Sequence, residues 1–373
     1  MTGSKPHANN VLALSAAALV LLALGPANVA SAGGWEKIPD LPRTINSLLA
    51  DGENPGVVYA GTGLSGSGSG VFKSEDSGLT WSLASEGLAG GDVKSLAMAG
   101  GTLYAAVASG YLYASAEGGA NWEQLGFFGY TGFNSRLAIA RSDEDVMFVA
   151  NDVRGAAFST DGGYTWLSTE GGLPKDENDE TNIQSVAIDP NDSEVVYLGT
   201  GWNGFNGNGV YKSADGGGTW RPANRGMLDY SIISLAIDPS NPQILYAGGY
   251  EGDFFKSADG AGTWTDLTDG IPLDERDRSS IKEIILDPAD PETVYILSER
   301  AGVFVSRDGG SSWSVLGSPT EVEYAAFTAM TVVFEPEPAV VAGIRDEGGW
   351  RRAFDRPAAE DGGEDNRTSG QDG

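Results

Sequence analysis

The chain has 373 residues, of which 40% are hydrophobic and 54 are glycine, so it is long enough to bury a large core. It contains no cysteine, which excludes disulfides, zinc-thiolate sites and a thiol nucleophile. Its 52 acidic and 23 basic residues give a formal charge of -29, which disfavours nucleic acids and anionic lipid surfaces as partners.

Residues 1–32 are typical of an export signal. A polar start precedes an apolar run over 11–24, and the residues at 30–32 (ASA) form a small-x-small cleavage pattern. We therefore expect cleavage before Gly33 and a secreted or periplasmic protein without membrane insertion. An uncleaved anchor is the alternative, for which an apolar run of about 14 residues is short. The single histidine, His7, lies in this segment, so the cleaved chain would have no imidazole for catalysis or metal binding.

Six downstream segments share one pattern, which starts with serine and ends with tryptophan. The tryptophans are 41, 44, 54, 44 and 49 residues apart, a spacing that is close to the length of one propeller blade. The segments are SEDSGLTW (74–81), SAEGGANW (115–122), STDGGYTW (159–166), SADGGGTW (213–220), SADGAGTW (257–264) and SRDGGSSW (306–313).

Short predicted strands precede most of these segments in a fixed order. The clearest case has strands at 234–237, 244–247 and 254–257, with Asp-Pro after the first of them. β-branched and aromatic residues favour strands, and the Asp-x-Gly run supplies the positive-φ turn of the last hairpin. Four-stranded sheets of this kind bury their faces by stacking radially, so the repeats predict an all-β propeller.

The S-x-D-x-G-x-[TS]-W pattern resembles the Asp-box, or BNR, repeat of sialidases, xyloglucan-cleaving hydrolases, sortilin-type ectodomains and photosystem II assembly factors. The resemblance covers about 320 residues at blade spacing. We interpret the boxes as structural: the carboxylate accepts turn hydrogen bonds and the tryptophan wedges between blades. Metal ligation or acid catalysis is the alternative role. The box residues are Asp76, Glu117, Asp161, Asp215, Asp259 and Asp308, with Trp81, Trp122, Trp166, Trp220, Trp264 and Trp313.

The two ends of the chain predict a seventh blade. Segments 327–334, 339–344 and 349–354 repeat the first three strands without a following box, whereas Trp35 starts a segment that resembles a post-box strand. We therefore predict that residues 33–356 form a single seven-bladed propeller of four-stranded antiparallel blades, closed by the N-terminal strand joining the last blade. Six blades with loose ends is the alternative.

Ligand binding is expected on the face opposite the boxes, which carries the connections between blades and between second and third strands. Aromatic residues there lie beside Asn, Asp and Arg, as a carbohydrate or peptide surface requires. Solvated loops with aromatic residues packed between blades are the alternative. The candidate ligand-binding residues are Trp202, Asn203, Phe205, Tyr130, Arg136, Tyr250 and Arg276.

Paired rim carboxylates could instead hydrolyse a glycosidic bond, which needs neither histidine nor cysteine. A sialidase would need converging arginines, but the nearest echo of its arginine motif has Lys37 in that place. We therefore expect a binding or scaffold module for carbohydrate or protein ligands, with a glycoside hydrolase, xyloglucanase-like or else exo-sialidase-like, as the alternative. The candidate catalytic residues are Asp152, Asp229, Asp253 and Glu299.

No cofactor or metal is expected. The acidic run KDENDE at 175–180 has the oxygen ligands that calcium prefers, but it lacks the spacing of a calcium loop, so a solvated charge run is favoured. Residues 357–373 are acidic and poor in large apolar residues, which predicts a disordered tail. A monomer is expected.

Overall fold

The computed structural model describes residues 34–355 except for short gaps, and it leaves the predicted export signal and acidic tail outside. The described ranges are 34–63, 69–89, 91–129, 132, 135–152, 155–169, 171–175, 181–201, 208–227, 231–273, 278–319, 322 and 325–355.

The described residues form seven four-stranded antiparallel sheets, so the predicted seven-bladed propeller is confirmed. Blades 1 to 6 each take four consecutive strands in chain order. Blade 1 contains β2 (Ile45–Ala50), β3 (Val58–Thr62), β4 (Gly70–Ser74) and β5 (Ser82–Leu83); blade 2 contains β6 (Val93–Ala99), β7 (Thr102–Val107), β8 (Tyr111–Ser115) and β9 (Glu123–Phe127); blade 3 contains β10 (Ser135–Ile139), β11 (Met147–Asn151), β12 (Gly155–Ser159) and β13 (Leu167–Thr169).

Blades 4 to 6 follow the same order. Blade 4 contains β14 (Ile183–Asp189), β15 (Asp192–Thr200), β16 (Val210–Ala214) and β17 (Arg221–Pro222); blade 5 contains β18 (Ile232–Ile237), β19 (Leu245–Gly249), β20 (Phe254–Ser257) and β21 (Thr265–Asp266); blade 6 contains β22 (Ile281–Asp287), β23 (Asp290–Ser298), β24 (Gly302–Ser306) and β25 (Ser314–Gly317). Within the described ranges, the helical element is a single 3-10 turn, Thr268–Gly270, and no helix there is long and apolar enough to cross a membrane.

Blade 7 joins the two ends of the propeller. Its outer strand pairs antiparallel with the third strand, and Lys37 lies opposite Trp350. The predicted closure by the N-terminal strand is therefore confirmed, and it removes the open edges that a split ring would have. The strands of blade 7, from the channel outwards, are β26 (Phe327–Val333), β27 (Ala339–Ile344), β28 (Gly348–Ala353) and β1 (Glu36–Ile38).

The hydrophobic core lies mainly between neighbouring blades. Trp220 of blade 4 packs edge-on against Phe148 of blade 3, with ring centroids 6.4 Å apart. Trp313 of blade 6 meets Phe254 of blade 5 in the same way at 5.2 Å. Because each four-stranded sheet covers its neighbour, the apolar faces of both are removed from water.

The order of the strands assigns the connections to two faces. The first strands of the blades lie innermost and contact one another around a central channel. In an antiparallel blade the first and third hairpins lie at one end, and the second hairpin and the connection to the next blade lie at the other. We call the first end the box face and the second the loop face.

Candidate binding site at the loop face of the channel

The carboxylates of the boxes are occupied by hydrogen bonds within their own turns. In blade 4, Asp215 accepts hydrogen bonds from the Thr219 backbone amide at 2.8 Å and from the Thr219 hydroxyl at 2.7 Å. The Ser213 hydroxyl donates to Asp215 at 2.7 Å and accepts from the amide of Gly217 at 2.9 Å. These bonds, the one from the Thr219 amide foremost, lower the pKa of Asp215 from its ordinary 3.8 to about 2. The network stabilises the hairpin turn.

The other boxes use the same network with one variation. Asp308 accepts hydrogen bonds from the hydroxyl and amide of Ser312, which lower its pKa to about 2. Glu117 replaces aspartate in blade 2, and its longer side chain accepts from the Asn121 amide group at 2.7 Å instead. The serine at the start of the turn is retained there and accepts from the Gly119 amide. The turn thus accommodates glutamate, because its carboxylate accepts a hydrogen bond from the Asn121 side chain instead of from a threonine or serine hydroxyl.

The box tryptophans anchor their indole N–H groups in two ways. Three of them donate to a carbonyl of their own box, and three donate across the interface to the preceding blade. The first group is Trp81, Trp166 and Trp313; the second is Trp122, Trp220 and Trp264.

The inner strands place a ring of side chains at the loop-face end of the channel. In six blades a shift of register near the start of the inner strand leaves one extra residue unpaired, as in a β-bulge. The inner strand of blade 3 pairs without such a shift and contributes Arg136. The six bulge residues, in blade order, are Asn46, Lys94, Gln184, Ile233, Lys282 and Thr328.

These bulge residues and Arg136 line two adjoining cavities, which together we call the channel mouth. The larger cavity has a volume of about 620 Å³ and the smaller about 150 Å³. Arg136 and Lys282 line both cavities, and Tyr250 from the second hairpin of blade 5 lines the smaller one. Tyr250 is 61% exposed, so its ring is available to a ligand.

Arg136 crosses the channel to Glu283 of blade 6. Its guanidinium lies 2.6 Å from the Glu283 carboxylate and donates to the Lys282 carbonyl at 3.1 Å. Blades 3 and 6 are not neighbours, so the ion pair spans the ring. Most other blades have serine at this register, and Ser47 and Ser95 accept a backbone amide from the next blade there. Blade 7 has Ala329 at this register, and the two charged residues there, Arg136 and Glu283, pair with each other.

The ion pair separates two different environments. Arg136 faces the polar channel mouth, whereas Glu283 lines a cavity of about 540 Å³ towards the box face. The walls of that cavity include Leu49, Ile285 and Met330. The channel is therefore polar at the loop face and more apolar beyond the pair.

Among the described residues, four cations and two acids line the channel mouth, and Glu283 and Glu299 beside it pair with the lining cations and add two further acids. Lys94 lies 3.9 Å from Asp92, and Glu299 lies between Lys282 at 3.5 Å and Arg345 at 3.6 Å. In a chain with a formal charge of -29, this region is close to neutral. Local neutrality suits a neutral polar ligand, since it avoids the repulsion or attraction of a strong field.

Three of the four candidate catalytic carboxylates lie in the part of the chain that the structure describes. Asp152, Asp253 and Glu299 lie on blades 3, 5 and 6, and none of the three lines either cavity of the channel mouth. Burial, with a smaller effect from Glu251, raises the pKa of Asp253. Asp229 lies outside the described residues.

Two of the predicted ligand-binding residues, Arg136 and Tyr250, lie together in the smaller cavity. The bulge residues were missed, because no glycine or proline marks the bulge. An alignment of the repeats would locate most of them, because the bulge residue directly precedes the inner-strand serine, as Lys94 does. The predicted residues that lie outside the described ranges are Trp202, Asn203, Phe205, Tyr130 and Arg276.

Metal ligands are not clustered in the part of the chain that the structure describes: it holds no group of three His, Asp or Glu side chains that could bind an ion. Residues 176–180 of the acidic run lie outside that part.

Comparison with known proteins relates part of the sequence to other propellers. Residues 53–185 match the family model described as the DUF6242 beta propeller domain. The xyloglucanase Xgh74A of Acetivibrio thermocellus is 29% identical over 138 residues, which are 34% of this chain and 16% of the relative. The chain spans between 13% and 17% of the length of the curated xyloglucanases that it matches.

Solved structures share the fold over most of the chain. A GH74 enzyme of Niastella koreensis is 19% identical with a TM-score of 0.59, and the match covers 84% of this chain and 52% of the enzyme. YCF48 bound to D1 peptide is 15% identical with a TM-score of 0.59, and the match covers 87% of this chain and all of YCF48 (100%). This chain is therefore a β-propeller related in fold both to GH74 enzymes and to YCF48.

Proposed function

We propose that this protein is an exported recognition propeller that binds a carbohydrate or protein ligand at the channel mouth. The observation that carries the proposal is the pair of adjoining cavities, to which the inner strands of all seven blades contribute a side chain. The channel mouth offers amide, hydroxyl, ammonium and guanidinium groups beside the exposed ring of Tyr250. Convergent polar groups beside an aromatic ring are typical of small-ligand sites, whose volumes are about 300–1,000 Å³.

Hydrolysis at the channel mouth would depend on the acids that line it. A glycosidase needs two carboxyl groups about 5 to 9.5 Å apart across one bound sugar. The acids among the described residues that line the channel mouth are Asp92 and Asp346, and Asp92 faces Lys94. The two functions that the comparisons suggest, xyloglucan cleavage and peptide binding, belong to proteins of the same fold, and fold alone does not select between them.

A glycoside hydrolase is the second candidate, and Asp253 is the observation that favours it. A general acid must hold its proton near neutral pH, and the pKa of Asp253 is raised by burial. If Asp253 is that acid, release of reducing ends from xyloglucan will be lost in Asp253→Asn.

Binding is tested with the full chain and two substitutions of equally exposed tyrosines. Xyloglucan oligosaccharides, other neutral glycans and a displayed random-peptide library are the probes, and calorimetry and reducing-end release are the readouts. Tyr250→Ala at the channel mouth should weaken binding about tenfold or more, since stacking on an aromatic ring is lost. Tyr164→Ala is the matched control on the box face, because Tyr164 is 63% exposed against 61% for Tyr250.

Three results would contradict the proposal. One is the absence of binding to every probe by the folded protein. Another is equal loss of binding in Tyr164→Ala and Tyr250→Ala, which would place the ligand elsewhere. The third is release of reducing ends that depends on Asp253, which would establish the hydrolase.

A further inference from the structure

A further cavity lies on the outer rim between blades 4 and 5, and none of the residues that line it belongs to an inner strand. Its volume is about 660 Å³, and we call it the rim groove. Strand β17 and the box turns of both blades form its walls. The charged residues that line it are Lys212, Asp215, Arg221, Arg225 and Asp259.

Arg221 departs from the residues at the same register in other blades. It lies opposite Lys212 in the pairing of β16 with β17. The same pairing places Ser82 opposite Lys73 in blade 1 and Thr265 opposite Lys256 in blade 5. The corresponding residues of blades 2, 3 and 6 are Glu123, Leu167 and Ser314. Among blades 1 to 6, a cation stands at this position in blade 4 alone.

Arg225 is likewise a cation at a position where the equivalent residues of other blades are not. Its carbonyl accepts a hydrogen bond from the Trp264 amide of the next blade at 2.8 Å. The same bond links Trp122 to the carbonyl of Glu86 and Trp220 to the carbonyl of Gly171. Because the same backbone hydrogen bond is formed in each case, Arg225 is structurally equivalent to Glu86 of blade 1 and to Gly171 of blade 3.

The two arginines are exposed, and neither forms an ion pair with a described residue. Lys212 adds a third cation and donates to the Gly260 carbonyl at 3.1 Å. The two acids of the groove, Asp215 and Asp259, already accept the hydrogen bonds of their own box turns.

From these observations we infer that the rim groove binds a polysaccharide that carries carboxylate groups. The guanidinium groups of Arg221 and Arg225 match carboxylates in shape and charge. Among the described residues that line the groove, the apolar side chains are those of proline and alanine, as at Pro222 and Ala223. They offer little apolar surface to the side chains of a peptide, which strand recognition uses for specificity, whereas an acidic sugar chain can bind through its carboxylates. The site is separate from the channel mouth, and either can exist without the other.

The probe is a polygalacturonate decamer, and its fully methyl-esterified form is the neutral control with the same backbone. Because the whole protein repels polyanions, binding of the decamer requires a local cationic site. We expect the full chain to bind the decamer but not the ester, with an affinity that falls as salt is added. The double variant Arg221→Gln with Arg225→Gln should lose about tenfold in affinity, since two exposed ion pairs disappear.

Two further variants distinguish the loss of the cationic site from a loss of folding. Arg307→Gln removes one exposed box arginine of blade 6 and should change the affinity less than twofold. Moving the pattern to blade 1 with Ser82→Arg and Glu86→Arg should increase the affinity for the decamer several-fold. The inference is overturned if the decamer does not bind, if Arg307→Gln causes the same loss as the double variant, or if an oligoglutamate binds while the decamer does not.

Discussion

The box face and the loop face of this propeller differ in how closely the seven blades follow one another. On the box face, six turns repeat one network in which serine and an acid satisfy the turn amides, and Glu117 is accommodated by a change of partner. On the loop face, the inner strands present a different side chain in nearly every blade, from Asn46 to Ile233. The serine and acid network is therefore kept where it stabilises the box turn, whereas the inner-strand positions that line the channel mouth differ from blade to blade.

The largest effect is expected from the core between blades. Trp220 is 3% exposed, and Trp220→Ala should lower the free energy of unfolding by about 3 to 5 kcal/mol because it leaves a cavity beside Phe148. Urea denaturation measures the loss. Trp220→Phe keeps a ring but removes the hydrogen bond to Thr169, and it should cost less. A loss below about 1 kcal/mol for Trp220→Ala would mean that the boxes do not hold the blades together.

The next effect concerns the ion pair that crosses the channel. Arg136→Met or Glu283→Gln alone should destabilise the protein by about 1 to 3 kcal/mol, because a partly buried charge loses its partner. The double variant should cost less than the sum of the two, which a double-mutant cycle in urea measures. Additive losses would show that the two charges do not interact, and the loop face would then lack this link between blades.

A smaller effect is expected from pH. Because the folded pKa values of Asp215 and Asp308 are about 2, below the ordinary 3.8, their carboxylates stabilise the fold above about pH 4. That contribution should be lost as the pH falls from about 4 to about 2, and thermal melts across this range measure it. Asp308→Asn should flatten the profile. Asp253→Asn is the opposite control, since the raised pKa of Asp253 means that its ionisation opposes folding. Identical profiles for both variants would contradict the assignment.

The smallest effect on stability is expected at the loop face. Tyr250→Ala should change the free energy of unfolding by no more than about 0.5 kcal/mol, because the ring is exposed. Thermal melts of Tyr250→Ala and Tyr164→Ala should therefore nearly coincide, while their ligand binding differs. A large destabilisation by Tyr250→Ala would make the channel mouth part of the core instead.

Repetition made the fold predictable. The spacing of the box tryptophans indicated blades, and the segments at 327–334 and 339–344 correspond closely to β26 (Phe327–Val333) and β27 (Ala339–Ile344). The segment after Trp35 indicated ring closure, which β1 confirms. These elements are encoded locally, because turn residues and alternating apolar residues act within each blade.

The candidate site was only partly predictable. Arg136 and Tyr250 were found as polar and aromatic residues in loop-face positions, but that they line one cavity depends on how the inner strands converge. Lys94 and Lys282 reach the channel through bulges, which depend on pairing between strands. The ion pair from Arg136 to Glu283 joins blades 3 and 6, which lie across the ring from each other, but the repeat spacing does not show that side chains at this register reach one another across the channel.

The closing strand has a consequence for assembly. Lys37 of β1 forms an ion pair with Glu347, 310 residues later in the chain, so blade 7 cannot be completed until the C-terminal strands have been synthesised. Because β1 belongs to the same chain, it meets its site at the high effective concentration of a tethered ligand. Ring closure is therefore an intramolecular binding reaction, in which the N-terminal strand β1 associates with the other three strands of blade 7.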